Sequence, residues 1–166
     1  MLKEIDFFDV FQETLDKLDN DGILLVAGDP PNPMTIGWAT IGHIWHKQIM
    51  TVLVRPTRYT YGLMETIKDF TVCVLPDNFK DALNLCGTKS GRDVDKIEVC
   101  HFQIEKCFRA AAYFITGSEI HFECRIVHKH RIDPATLDPV IIERYYPLRD
   151  FHMVYYGEIL GIYRND

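Results

Sequence analysis

Cations and hydroxyls gather in two short stretches of this chain. Arg55-Pro56-Thr57-Arg58-Tyr59-Thr60 closes an apolar run, and further on comes Gly87-Thr88-Lys89-Ser90-Gly91-Arg92-Asp93-Val94-Asp95-Lys96. The chain as a whole is acidic, with a net charge of −6 over 166 residues. An acidic protein that concentrates Arg, Lys, Ser and Thr at two turns is set up to hold one small anion. Phosphate fits, because guanidinium forks and hydroxyls match its oxygens. A third stretch, Asn32-Pro33-Met34-Thr35-Ile36-Gly37-Trp38, offers a backbone turn and an indole that suit a flat, partly polar ring. Phosphate plus ring points to a nucleotide-like cofactor. Against this stands the ordinary fate of any single Arg or Lys, which is a solvated surface; the clustering is what argues for a site.

These stretches need elements to position them. Phe8, Phe11, Leu15 and Leu18 recur at helical spacing with acidic residues opposite, which predicts an amphipathic helix stopped by Asn20-Asp21-Gly22. Residues 23–27 read as a short strand, cut off by a Pro30-Pro31-Asn32-Pro33 loop that leaves the sheet before Met34 re-enters it. Residues 34–45 and 49–54 read as β-runs around a His46-Lys47-Gln48 hairpin turn. A short helix over 59–68, a buried strand over 70–75 and a helix over 77–85 follow. That last helix is expected to be capped by Asp77 or Asn78 and to end at Gly87. Residues 111–115 and 120–130 read as strands around Thr116-Gly117-Ser118, and 153–163 as a final strand. Between them, residues 133–150 form a long excursion, of a length that tends to be functional or to cover something. Many strands with few short helices predict a mainly β fold, an antiparallel, Greek-key-like barrel with helical decoration.

Composition excludes several classes. Hydrophobic residues at 47% and charged residues at 25% are an ordinary globular balance. No apolar run approaches the ~20 residues that span a bilayer, and the N-terminus lacks a signal layout, so the cytoplasm is the expected address. Net negative charge without a basic stripe argues against nucleic acid. The five cysteines form no Cys-x-x-Cys pair, and Cys73, Cys86 and Cys124 read as packed residues. His128 and His130 share a strand face but lack further ligands at metal spacing, so no metal is expected. His43 and His46 read as polar turn residues. Neither a Gly-x-Gly-x-x-Gly fingerprint nor a Walker loop is present.

With its segments in order, the chain resembles the flavin reductase-like family of FMN-binding split β-barrels, of which flavoredoxin is a member. The family's Asn-x-Met-Thr-x-x-Trp is matched by Asn32, Met34, Thr35 and Trp38, and its Arg/Ser/Thr-rich turn by Arg55, Thr57, Arg58 and Thr60. Its Ser-Gly-(Arg/Lys)-x-x-Asp-Lys turn is matched by Gly87, Ser90, Gly91, Arg92, Asp95 and Lys96. A late His before an aromatic-rich Gly-Glu strand is matched by His152, Gly157 and Glu158. The match runs from about Ile23 to the end, so the whole of 1–166 is expected to be one split-barrel domain. The resemblance implies an FMN site in a groove near the interface of a homodimer.

On that footing the residues take roles. Arg55, Arg58 and Lys96 are first choices to neutralise the phosphate, with Thr57, Thr60 and Ser90 as hydroxyl donors and Gly87 and Arg92 in the same turn. Backbone N–H groups of Thr35, Ile36 and Gly37, beside Met34, could serve the pyrimidine edge of the flavin, where reduction places negative charge. Trp38 could flank the ring or fill the core, and the core reading leads. His152 is the candidate contact to nicotinamide or reduced flavin, or a plain hydrogen-bonded histidine. The leading function is an FMN-dependent oxidoreductase, a flavin reductase using NADH or NADPH. An electron carrier fed by a redox protein, or a non-catalytic FMN-binding module, would use the same phosphate residues.

Overall fold

The computed structural model describes residues 1–165. A short strand β1 (Leu2–Glu4) and a 3-10 turn lead into helix α1 (Phe11–Asn20). Then come β2 (Ile23–Ala27), β3 (Asn32–Ile36), β4 (Ala39–Ile44), β5 (Lys47–Val54), α2 (Tyr59–Met64) and β6 (Asp69–Val74). Next are α3 (Lys80–Thr88), α4 (Lys96–Val99), β7 (Ile104–Lys106), β8 (Tyr113–Ile115) and β9 (Ile120–Arg131). The chain closes with α5 (Pro139–Tyr145) and β10 (Met153–Asn165). All pairings are antiparallel, in the order β3-β2-β6-β9-β10-β5-β4, with β1 added beside the end of β10. The fold is mainly β, as the strand pattern requires.

The sheet curls because of one junction. The 34–45 run is not one strand. It breaks at Gly37-Trp38, sending β3 to pair with β2 and β4 to pair with β5. These are opposite ends of the strand order, so a two-residue link brings the edges of the sheet together as a barrel. The interior is filled by alternate residues: Ile23, Leu25 and Ala27 of β2, Phe70, Val72 and Val74 of β6, Phe122 of β9 and Tyr155 of β10. Gly157 on β10 is there because a Cβ would lie 2.6 Å from the Phe70 ring.

A second, smaller core lies outside the barrel wall. Leu24 and Val26 of β2 and Cys73 of β6 meet Leu83 and Cys86 of α3, with Phe102 and Phe114. Strands β2 and β6 are therefore buried on both faces, which is why they read as continuous apolar runs rather than alternating ones. This layer carries α3 and α4, and with them the second cationic turn.

Other local expectations shift for identifiable reasons. Pro33 stands inside β3 rather than in a loop before it. Edge position tolerates the missing donor, and the Pro33 carbonyl accepts from Lys96. The β4–β5 turn is Trp45-His46, both with positive φ (55° and 56°), not His46-Lys47-Gln48. Neither Asp77 nor Asn78 caps α3; a 3-10 turn precedes it, and Asp77 pairs with Lys17 instead. Gly87 lies in the last turn of α3, against Thr35, rather than beyond it. Strand β8 pairs with the unforeseen β7, not with β9. Helix α5 gives the 133–150 excursion its structure. Among the described residues no helix is long and apolar enough to cross a membrane.

Candidate functional site

The residues singled out by type and spacing converge on two adjoining depressions. The larger, about 200 Å³, is lined by Met34, Thr35, Ile36, Gly37, Trp38, Leu53, Arg55, Arg58 and His152. The smaller, about 90 Å³, is lined by Met34, Thr57, Arg58, Tyr59, Thr60, Cys86, Gly87, Lys89, Ser90, Gly91, Arg92 and Lys96. Met34 and Arg58 belong to both, so they form one continuous groove. Roomier clefts exist. One along α1, about 740 Å³, is lined by Asp9, Glu13, Asp16, Asp21 and Asp77 among others, the wrong sign for a phosphate.

The wider part is built on the β3–β4 junction. Gly37 is exposed and a Cβ there would meet nothing, so the backbone stands open to the groove. Trp38 is not a core residue. It is 40% exposed and its ring centroid stands 5.2 Å from those of both Tyr145 and His152. The Thr35 hydroxyl is already committed, donating to the Leu83 carbonyl and tying β3 to α3.

The narrow part is where the two cationic turns meet. Asn32 donates to Thr60 Oγ1 at 3.0 Å, leaving the Thr60 O–H free to donate. Arg92 donates to the Thr57 carbonyl and lies 5.7 Å over the Tyr59 ring, so it clamps one turn to the other rather than pairing with Asp93 or Asp95. Ser90 Oγ accepts from the Arg92 N–H, and Asp95 caps α4. Gly91 has no room for a side chain: a Cβ would fall 2.2 Å from Asn32 Oδ1 and 2.4 Å from Tyr59. Asn32, Tyr59 and Gly91 are the residues that spacing alone did not put forward. They were visible as motif members, but packing gives them their work.

Lys96 departs most from expectation. It is a buried residue, 4% exposed, rather than a surface cation of the groove. Its ammonium donates to the carbonyls of Pro33 and Cys86, both at 3.0 Å. Burial, aided by the nearby Arg58 charge, holds its pKa below the usual lysine range. Among the described residues neither Lys96 nor Arg58 has a carboxylate within ion-pair distance, and an uncompensated buried cation is costly. Two of the lysine's three donors are used, so one donor and the charge remain for an anion.

Arg55, by contrast, is already neutralised. It pairs with Asp150 at 2.6 Å, donates to the Tyr145 carbonyl at 2.8 Å, and lies 5.0 Å over the Tyr146 ring. It ties the Tyr145–Asp150 end of the 133–150 segment to the groove wall. Beneath that segment His152 is 8% exposed, with Nδ1 2.7 Å from the Tyr146 hydroxyl. Burial, together with the Arg55 and Arg58 charges, pushes His152 down to about 4, so it is a neutral imidazole at physiological pH. Elsewhere, His128 and His130 are exposed and stacked 5.8 Å apart, and among the described residues no group of three potential ligands could hold a metal. Cys86 is buried and its thiol pushed up to about 12, an inert packing residue.

A model of the flavin reductase-like domain matches residues 20–166. The chain belongs to that family. At 18% identity, 87% of the chain superposes on 71% of a Thermus thermophilus FMN-binding protein with a TM-score of 0.69. At 18% identity, 98% of the chain superposes on 87% of a Streptomyces globisporus NADH:FAD oxidoreductase with a TM-score of 0.67. Both likenesses are of fold. An uncharacterised protein of Archaeoglobus fulgidus is 26% identical over 69% of this flavin reductase-like chain, which spans only 64% of that relative's length.

Proposed function

We propose that the groove holds FMN and that the protein is a flavin reductase drawing electrons from NADH or NADPH. The observation that carries the reading is the buried Lys96 beside Arg58, two cations with no carboxylate within ion-pair distance among the described residues, at the narrow end of the groove. A terminal phosphate supplies the missing charge, and its size suits the narrow part. Lys96 and Arg58 would bind it, with the Thr57, Thr60 and Ser90 hydroxyls. The open backbone at 35–37 would take the ring's polar edge, while Trp38 and Tyr145 exclude water from one side. Bound FMN supplies the hydride and electron chemistry, so no side chain need act as nucleophile.

Trp38 at the groove, Tyr145 beside it, and Val140, Ile141 and Leu148 of the same 133–150 segment leave apolar surface exposed. A homodimer covering it is part of the proposal. The test is titration of the purified protein with FMN and riboflavin, followed by anaerobic mixing with NADH and NADPH. FMN bound tightly, riboflavin weakly, and bleaching of the flavin on mixing is the expected result. Riboflavin binding equal to FMN would remove the phosphate assignment. Tight FMN without bleaching would make the protein an electron carrier instead.

A further inference from the structure

We propose that Tyr146 is a positioning residue that fixes which nitrogen of His152 carries the proton, so that Nε2–H is the donor presented to the groove. The inference rests on the flavin reading for what Nε2 meets, and on the structure alone for the tautomer.

Hydrogen-bond accounting gives the assignment. The Tyr146 hydroxyl and His152 Nδ1 are 2.7 Å apart, and Tyr146 is 2% exposed. At that burial the phenol proton needs an acceptor from the protein. Nδ1 is the partner at hand. If Nδ1 carried the proton instead, the phenol proton would be buried without an acceptor, at a cost of ~1–3 kcal/mol. A neutral imidazole with an accepting Nδ1 has its proton on Nε2. Nε2 is not a buried, unpartnered atom, and His152 lines the groove, so that N–H is open to a ligand.

The surroundings keep both rings in these states. Arg55 from the end of β5, Arg58 from the following turn, Asp150 from the covering segment and Tyr146 from the end of α5 are the charged and titratable groups facing His152. The two guanidiniums disfavour an imidazolium, and burial keeps the Tyr146 phenol protonated. Arg55 over the Tyr146 ring and the Arg55–Asp150 pair hold the phenol in place, so seating of the 133–150 segment sets the tautomer. A fixed N–H donor suits a carbonyl or nitrogen that gains negative charge on reduction, and would bind the reduced group more tightly than the oxidised one.

Two measurements test this. In the apoprotein labelled with 15N-histidine, with His152→Ala used to assign the signal, His152 should show a protonated Nε2 and an unprotonated Nδ1. Tyr146→Phe should leave the fold intact, since the ring and its Arg55 contact persist, yet give mixed tautomers. A protonated Nδ1 in the natural protein, or an unchanged tautomer in Tyr146→Phe, would overturn the proposal. In the FMN-loaded protein, the ratio of dissociation constants for reduced over oxidised FMN should rise about tenfold in His152→Ala and severalfold in Tyr146→Phe. The double variant should match His152→Ala, because Tyr146 acts only through the imidazole. Additive effects would overturn the positioning role. Failure to bind any flavin would remove the flavin reading, while the apoprotein spectrum would still decide the tautomer.

Discussion

Replacing Arg58 by Ala separates binding from stability more cleanly than any other change in this site. The residue is exposed and in no ion pair among the described residues, so its removal orphans nothing buried there. Stability should stay within ~0.5 kcal/mol, the usual range for such surface changes. The apoprotein should even gain slightly, because Arg58 adds to the positive field that disfavours charge on Lys96. Binding should respond quite differently. A hydrogen bond to a charged group contributes ~1.5–3 kcal/mol, and 1.4 kcal/mol is tenfold, so FMN affinity should fall about ten- to a hundredfold. Riboflavin, which lacks the phosphate, should bind the variant as it binds the natural protein. Fluorescence-quenching titrations with both ligands, alongside thermal melts, read these three quantities. Equal losses for FMN and riboflavin, or a lowered melting point with FMN affinity intact, would refute the reasoning. Lys96→Met is the informative contrast. It frees the Pro33 and Cys86 carbonyls as well as removing the charge, so affinity and stability should both fall.

Gly91→Ala places a Cβ 2.4 Å from the Tyr59 ring and 2.2 Å from Asn32 Oδ1, so the two cationic turns must move apart; FMN affinity should drop at least tenfold with the barrel still folded, as titration and circular dichroism would show. Arg55→Ala leaves the Asp150 carboxylate and Tyr145 carbonyl without their partner, and limited proteolysis should then cut within 133–150 much faster than in the natural protein. His152 titrates near 6.5 unfolded but is pushed down to about 4 when folded, so its contribution is full above pH 6.5 and is lost as pH falls towards 4. That loss should reach ~3 kcal/mol across the window, and denaturation series at stepped pH should show it shrink in His152→Gln. Light scattering should give twice the 19.3 kDa chain mass, and a monomer with FMN bound would remove the dimer proposal.

The elements were legible in the sequence wherever local chemistry dictates them. Phe11, Leu15 and Leu18 recur at helical spacing whatever surrounds them, and Gly22 (φ +82°) must end the helix. The continuous apolar runs of β2 and β6 announce strands buried on both faces. The two cationic turns were legible for the same reason, since Arg, Lys, Ser and Thr declare their chemistry by type. Side-chain commitments were not, because they depend on what the fold brings within 3 Å. Lys96 and Arg55 are equally cationic in sequence. Only the docking of α4 beneath β3 buries one against backbone carbonyls, and only the return of residues 145–150 neutralises the other. Trp38 read as core because indoles usually are. The barrel instead closes at its own backbone, sending β3 and β4 to opposite edges and turning the ring out into the groove. Tyr146 stood out in the chain only as part of an aromatic pair in the long excursion. Its meaning lies in a hydroxyl 2.7 Å from His152, a contact made by the path of a loop rather than by any spacing.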